Sequence, residues 1–342
     1  MKDFAGRLIA WHARHGRHDL PWQHTTDAYR IWLSEIMLQQ TQVTTVIPYY
    51  LRLLDRFPDI RALAAAPAED VMTLWSGLGY YARARNLHAC ARAVVERHGG
   101  EFPRDPAAIA DLPGIGRSTA AAIAAFAHGT RAAILDGNVK RVLARRFGID
   151  GFPGEKKVEN QLWQLAESLL PSDGIERYTQ ALMDLGATVC TRRKPVCARC
   201  PLHGDCIAFA QDRVGELPGP RPKRAIPKRT ARYLILQHDN RVLFEQRPPS
   251  GIWGGLLCLP ELSDGDEPHQ VARQRYACTV DSAEALPPLT HGFTHFTLIL
   301  RPLACRVTRI EPHAAQPGLR WLALDALDRA ALPAPIRKLL SR

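Results

Sequence analysis

Residues 112 to 141 constrain this chain more than any other stretch. They read Leu112-Pro113-Gly114-Ile115-Gly116-Arg117-Ser118-Thr119-Ala120, an alanine-rich run to Gly129, then Ile134-Leu135-Asp136-Gly137-Asn138-Val139-Lys140-Arg141. Pro113 and the two glycines make a tight turn that a side chain would obstruct. Arg117 to His128 has helical propensity, and Gly129 suits its C-terminal cap. The turn thus feeds a helix N-terminus. That geometry aims backbone N–H groups and the positive end of a helix dipole at one point, which suits a phosphate. The alanines let the helix lie close against a neighbour. Asp136 follows an apolar pair and caps a second helix, Asn138 to Arg146. A plain interhelical turn uses the same Pro-Gly-x-Gly pattern, so the remaining motifs must decide.

Upstream, the chain reads as helix after helix with short loops, an all-α pattern. Residues 1 to 17 carry Phe4, Leu8 and Trp11 on one stripe, and Leu20-Pro21-Trp22 breaks that helix. Asp27 caps a helix running through Ile31 to Gln40. Glu35 shares its face with Ile31 and Leu38. An acid among apolar neighbours is costly to ionise, so its pKa should rise, as a general acid near neutral pH requires. The structural alternative is a glutamate at the edge of the stripe. Helices are expected at about 44 to 55, 60 to 65, 68 to 76 and 82 to 98, separated by Pro48, Pro58, Pro67 and Gly77-Leu78-Gly79. The last of these turns continues into Tyr80-Tyr81-Ala82-Arg83-Ala84-Arg85. An exposed tyrosine there could wedge into a base stack. Two further helices are expected at 155 to 170 and 175 to 189, with Gln180, Met183 and Asp184 on one turn of the second.

The 342 residues suffice for about two domains. A formal net charge of +11 favours a polyanionic partner without proving one. Four of the 8 cysteines crowd into the pattern Cys190, Cys197, Cys200, Cys206, which argues for a metal and against disulfides. Four thiolates so close can bind Zn²⁺ or a [4Fe–4S] cluster, and spacing leaves that choice open. Arg192, Arg193 and Lys194, between the first two, could clamp a phosphate. The N-terminus lacks a signal peptide's apolar core, and no run of about 18 apolar residues exists. A soluble, cytoplasmic protein is expected, nucleoid-associated if bacterial.

Residues 211 to 230 are rich in proline and cations, including Pro218, Pro220, Pro222, Pro227, Lys223, Arg224, Lys228 and Arg229, and read as a linker. Beyond it, Tyr233–Gln237 and Val242–Gln246 form a hairpin pattern about His238-Asp239-Asn240. Phe293–Val307 reads as a long strand, with Pro302 marking an edge or a bulge. Leu319–Leu322 reads as a strand, and Val271–Tyr276 and Ala334–Leu340 as short helices. This is a small α+β domain.

Several long motifs together closely resemble one family. The glycine turn with Asp136 resembles the helix-hairpin-helix of the endonuclease III superfamily of DNA glycosylases. Trp32-Leu33-Ser34-Glu35-Ile36-Met37-Leu38-Gln39-Gln40-Thr41-Gln42-Val43 and Ile134 to Arg145 are similar to its adenine-removing MutY branch. The resemblance spans about residues 20 to 300. It implies a multidomain fold with three parts. These are a helical glycosylase domain over 1–210, a linker over 211–230, and a NUDIX-like mispair-reading domain over 231–342. The helical part would be a six-helix barrel plus a cluster subdomain formed by the N-terminus and about 133–210. It also implies a [4Fe–4S] cluster on Cys190, Cys197, Cys200 and Cys206.

The implied activity is removal of adenine mispaired with 8-oxoguanine or guanine in double-stranded DNA, by a monofunctional, monomeric enzyme that flips the base out. Glu35 would protonate the adenine. Asp136 would stabilise the sugar cation, with Asn138 as its partner. DNA contacts would come from Trp22, Leu38, Gln40, Thr41, Tyr80, Gly114, Gly116, Ser118 and Gln180, with Gln40 and Tyr80 as wedges and Gln180 reaching the flipped base. His291, Thr294 and His295 would read the opposite base. Thr294 stands where the family has serine. Val271–Tyr276 lacks the carboxylates a NUDIX hydrolase needs for Mg²⁺, so hydrolysis there is not expected. A bifunctional pyrimidine-damage glycosylase and lyase would carry lysine at Ser118. A non-catalytic damage sensor would need neither Glu35 nor Asp136.

Overall fold

The computed structural model describes residues 3–222, 225–248, 251–311 and 318–341. Lys223 and Arg224 of the expected linker lie outside the described residues. Contacts divide the chain into two compact units, Met1–Ala66 with Arg85–Lys223, and Pro67–Ala84 with Arg224–Arg342. The second unit therefore includes a segment expected in the helical domain.

The helices run α1 (Phe4–His15), α2 (Ala28–Leu38), α3 (Val43–Arg56), α4 (Ile60–Ala65), α5 (Ala68–Trp75), α6 (Ala82–His98), α7 (Pro106–Ala110), α8 (Arg117–His128), α9 (Gly137–Phe147), α10 (Lys156–Ser168), α11 (Ile175–Asp184) and α12 (Ile207–Ala210). Asp27, Asp59, Asp105 and Asp136 cap α2, α4, α7 and α9, each side chain accepting a backbone N–H. In the first unit, α8 buries Ala120 to Ala125 and packs against α2, α7 and α11, the close approach that small side chains permit. The N-terminal helix α1 sends Phe4, Leu8 and Trp11 into one core with residues of α8 to α11.

Two helical expectations are corrected. Pro48 separates nothing and lies inside α3. The helix tolerates the missing N–H because Val46, Tyr50 and Leu53 bury one stripe across it. The expected helix 175–189 also changes form. After Asp184 it widens into a π-helical turn, Leu185–Val189, closed by Cys190 N–H on the Leu185 carbonyl at 2.8 Å. There a β-carbon on Gly186 would stand 2.6 Å from the Asn138 β-carbon, so only glycine lets the turn approach α9 this closely.

In the second unit the strands are β1 (Lys228–His238), β2 (Arg241–Gln246), β3 (Leu257–Cys258), β4 (Glu261–Leu262), β5 (Cys278–Ala285), β6 (Leu289–Gly292), β7 (Thr297–Ile310) and β8 (Leu319–Ala323), with helices α13 (Pro268–Tyr276) and α14 (Ala334–Leu340). The sheet order is β3-β2-β1-β7-β5, with β4 on β1, β6 on β7 and β8 on β2. β1 and β2 form the expected hairpin, and β1 runs parallel to β7. The linker is shorter than expected, because Lys228, Arg229 and Thr230 already pair with Thr297, Leu298 and Ile299. The long strand begins at Thr297 instead of Phe293 and is central, so Pro302 marks no edge. It sits where the antiparallel neighbour of β7 changes from β6, which pairs with it up to Leu300, to β5, which pairs with it from Leu303. The ladder is already interrupted there, and the Pro302 carbonyl is used by Leu286 N–H at 3.0 Å.

Candidate active site

The site of the first unit is assembled from α2, the glycine turn with α8, and the Asp136 cap. Glu35 projects from α2, one turn from buried Ile31 and Trp32. Burial, first, and the negative charge of Asp136, second, push its carboxyl up to about 8. Asp136 is itself raised by burial, opposed by the backbone N–H groups of Val139 and Asn138 and by the Arg141 and Lys140 charges. The Val139 bond is 2.8 Å. The Asp136 charge thus favours a proton on Glu35.

The turn before α8 separates the two glycines physically. Gly114 has φ +77°, and a β-carbon there would lie 2.6 Å from that of Asn86. Gly116 caps α8 with φ −95° and faces open space, so its lack of a side chain serves nothing inside the protein. That leaves room for a ligand backbone at the helix N-terminus. Ser118 turns inward, its Oγ accepting the Leu135 N–H at 2.9 Å. Thr119 Oγ1 receives Gln39 Nε2 at 3.5 Å, tying α8 to the end of α2.

Beyond that end, Gln40 is exposed with φ +58°, a conformation costly for a side-chain-bearing residue. Leu38 and Thr41 are half-buried beside it. Trp22 is buried, its ring edge-on to Tyr50 at 5.4 Å.

Asn138 does not pair with the Asp136 carboxylate through its side chain. Its Oδ1 accepts from Arg141 at 2.9 Å, and only its backbone N–H serves Asp136. Arg141 also donates to the carbonyls of Gly186 and Cys190, each at 2.7 Å. Lys140 Nζ is engaged by Glu159 at 2.7 Å.

Gln180 donates to Asp184 Oδ1 at 3.0 Å. Asp184 is fully buried and also takes the Arg17 N–H at 2.8 Å and the Arg17 guanidinium at 3.0 Å. His12 Nε2 lies 3.2 Å from Asp184 Oδ2, outside hydrogen-bond alignment. Burial alone would raise Asp184; the His12 and Arg17 contacts outweigh it and hold the carboxyl below its ordinary range. Sequence reasoning missed this hub, because its partners lie 167 residues apart.

Cys190, Cys197, Cys200 and Cys206 line one small cavity with Arg145, Val189, His203, Phe209 and Val214. Arg145, buried, bolts the loop to α9 through the carbonyls of Thr191 at 2.7 Å and Leu217 at 2.8 Å, and meets Cys190 Sγ at 3.5 Å. Burial, first, and the neighbouring cysteines push Cys200 up to about 11, against a backbone hydrogen bond from Leu202. Four soft sulfur donors lining one cavity fit a thiophilic metal or an iron–sulfur cluster. Among the described residues no three ligands converge on a single metal ion. Arg192, Arg193 and Lys194 are exposed at the rim.

In the second unit, β6 turns into β7 through Phe293-Thr294-His295-Phe296, closed by Phe293 N–H on the Phe296 carbonyl at 2.8 Å. Phe293 stacks on Phe296 at 4.4 Å, and His291 packs on Phe293 at 4.8 Å. This aromatic base leaves Thr294 and His295 exposed at the tip. Burial holds the His291 imidazole below its ordinary range, so it is neutral near pH 7. Tyr80 is 51% exposed with φ +51°, between Gly79 and the Arg83 guanidinium, which lies 5.5 Å from its ring.

A glycine-capped helix N-terminus beside a raised glutamate and a capping aspartate defines a class. Residues 33–168 match the HhH-GPD superfamily of base excision DNA repair proteins, and residues 231–342 match the NUDIX domain. A thermostable thymine-DNA glycosylase structure is 32% identical, covering 61% of this chain and 96% of its own, with a TM-score of 0.56. Endonuclease III bound to DNA, at 22% identity and a TM-score of 0.51, shares the fold. The adenine DNA glycosylase of Buchnera aphidicola (Acyrthosiphon pisum strain APS) is 36% identical over 98% of this chain and 96% of its own. The human adenine DNA glycosylase is 33% identical over 98% of this chain and 73% of its own. The chain belongs to the adenine DNA glycosylase family, base excision repair enzymes that hydrolyse an N-glycosyl bond and bind DNA. Among the described residues no helix is long and apolar enough to cross a membrane.

Proposed function

We propose that this enzyme removes adenine mispaired with 8-oxoguanine or guanine, by a monofunctional mechanism with Glu35 as general acid. The observation that carries the reading is the Glu35 carboxyl, pushed up to about 8 by burial and by Asp136. Adenine leaves poorly unless protonated, and a neutral glutamic acid at physiological pH supplies that proton. As the bond breaks, the sugar gains oxocarbenium-like charge. Asp136, which can stay ionised while Glu35 keeps its proton, faces that charge as a carboxylate.

The backbone at Gly116 and the α8 N-terminus receive a phosphate of the substrate strand. Gln40 and Tyr80, both in strained backbone conformations, part the stack while the base is flipped. Gln180, oriented by Asp184, contacts the flipped base. Monofunctional chemistry is supported by Ser118, which has no amine, and by Lys140, held by Glu159. Thr294, His295 and His291 read the opposite base. Cys190, Cys197, Cys200 and Cys206 would hold a [4Fe–4S] cluster that would tether the basic loop, while Arg141 and Arg145 tie that loop to α9 behind Asp136. The chain acts as a monomer, with residues 1–210 as glycosylase domain and 231–342 as reader.

The test is alkali-revealed strand cleavage on duplexes holding adenine opposite 8-oxoguanine, guanine or thymine, beside a thymine-glycol duplex. Cleavage is expected for the first two. Cleavage at thymine glycol, or without alkali, would support a bifunctional pyrimidine-damage enzyme instead.

A further inference from the structure

The segment carrying Tyr80 packs with the sheet unit, and the contacts are specific. Arg320 on β8 forks onto both carboxylate oxygens of Glu69, in the first turn of α5, with Nη2 at 2.9 Å from Oε2. Arg337 on α14 is held by the carbonyls of Leu327 and of Ala330, the latter at 3.0 Å, and reaches Ser76 Oγ, just past the end of α5, at 3.4 Å. Tyr81 donates its hydroxyl to the Leu332 carbonyl at 3.5 Å and accepts Gly77 N–H at 3.4 Å. Both ends of α5 and the far side of its loop are therefore fixed by the C-terminal residues. The loop needs such support, since Gly77, Gly79 and Tyr80 all have φ between +51° and +96°. On its other side α14 packs against β6, the strand that ends at His291-Gly292 and opens the Thr294–His295 turn.

We propose that β8 and α14 hold the Tyr80 loop and the His291–His295 loop in one frame, with Arg320 and Arg337 as positioning residues for mispair discrimination. This rests on the function proposed above. Engagement of the opposite base then seats the wedge in the same movement, and a poor fit at Thr294 and His295 is felt at Tyr80. Coupling through a shared packed element is the physical route for such an effect.

The test is a charge exchange in the full-length enzyme: Arg320→Glu, Glu69→Arg, and the two combined, with Arg337→Met as an independent variant. Two quantities are read. One is the ratio of single-turnover rates for adenine opposite 8-oxoguanine and opposite guanine. The other is the fluorescence rise of 2-aminopurine placed beside the 8-oxoguanine, which reports unstacking on binding. Each single variant should lower the ratio about threefold to tenfold, with a matching loss of fluorescence rise, while its rate opposite guanine stays within about twofold. The combined exchange should restore both, which a merely destabilised fold would not do. Unchanged ratio and fluorescence in all single variants, or no recovery in the combined one, overturns the proposal. Absence of adenine release by the wild-type enzyme would fault the functional reading alone, since the fluorescence needs only binding.

Discussion

Ser118 Oγ accepts the backbone N–H of Leu135 at 2.9 Å, joining the first turn of α8 to the segment that delivers Asp136. The hydroxyl thus holds the residue next to Asp136, and a hydroxyl cannot form an imine. Ser118→Lys should place a primary amine there and add strand-cleaving activity, trapped by borohydride as a protein–DNA adduct. Loss of the bond to Leu135 should lower stability by about 1 kcal/mol. No adduct with a folded variant would mean that position 118 does not face the sugar.

The two turn glycines should respond oppositely. Gly114→Ala meets both a positive φ and the Asn86 β-carbon at 2.6 Å, so it should destabilise the fold by about 1–3 kcal/mol. Gly116→Ala meets no protein atom within 4 Å and should melt like the wild type while binding duplex DNA at least tenfold more weakly. Thermal melting and duplex affinity check both. Normal DNA affinity in Gly116→Ala would remove the phosphate from that helix N-terminus.

Local chemistry explains which parts of this fold are legible in the sequence. The Asp27 cap, the alanine-rich α8 with Gly129, the Asp136 cap and α14 follow from signals within a few residues, and the structure has them. Strand β5, Cys278–Ala285, carries no alternating apolar pattern and mostly exposed residues, so only its pairing with β7 makes it a strand. The hub at Asp184 and the allegiance of residues 67–84 to the sheet unit depend on contacts across more than 160 residues. The proton affinity of Glu35 was readable from its apolar face, but the contribution of Asp136 needed three dimensions.

Natively expressed enzyme should contain about four iron and four sulfide per chain. Cys200→Ser should lose them, release the loop that carries Arg192 to Lys194, and weaken duplex binding. Metal analysis is the readout, and stoichiometric zinc would overturn the cofactor assignment.

Thr294→Ala with His295→Ala should leave the fold intact, because Phe293 and Phe296 still stack beneath an exposed tip. One or two lost hydrogen bonds correspond to about 1–3 kcal/mol. The preference for adenine opposite 8-oxoguanine over guanine should fall about tenfold to a hundredfold in single-turnover assays. An unchanged ratio would assign recognition to the helical unit.

The proton carried by Glu35 is tested most directly by single-turnover adenine release against pH for the wild type and Glu35→Gln. A raised acid is protonated, and competent to donate, below its shifted pKa. The wild-type rate should therefore hold through neutrality and fall as pH rises through about 8. Glutamine keeps the shape and loses the proton, so its rate should drop about a hundredfold to ten-thousandfold with duplex affinity nearly unchanged. A glutamine variant that keeps a substantial fraction of the wild-type rate, or a wild-type rate that does not fall between pH 7 and about 9, would contradict the general-acid role.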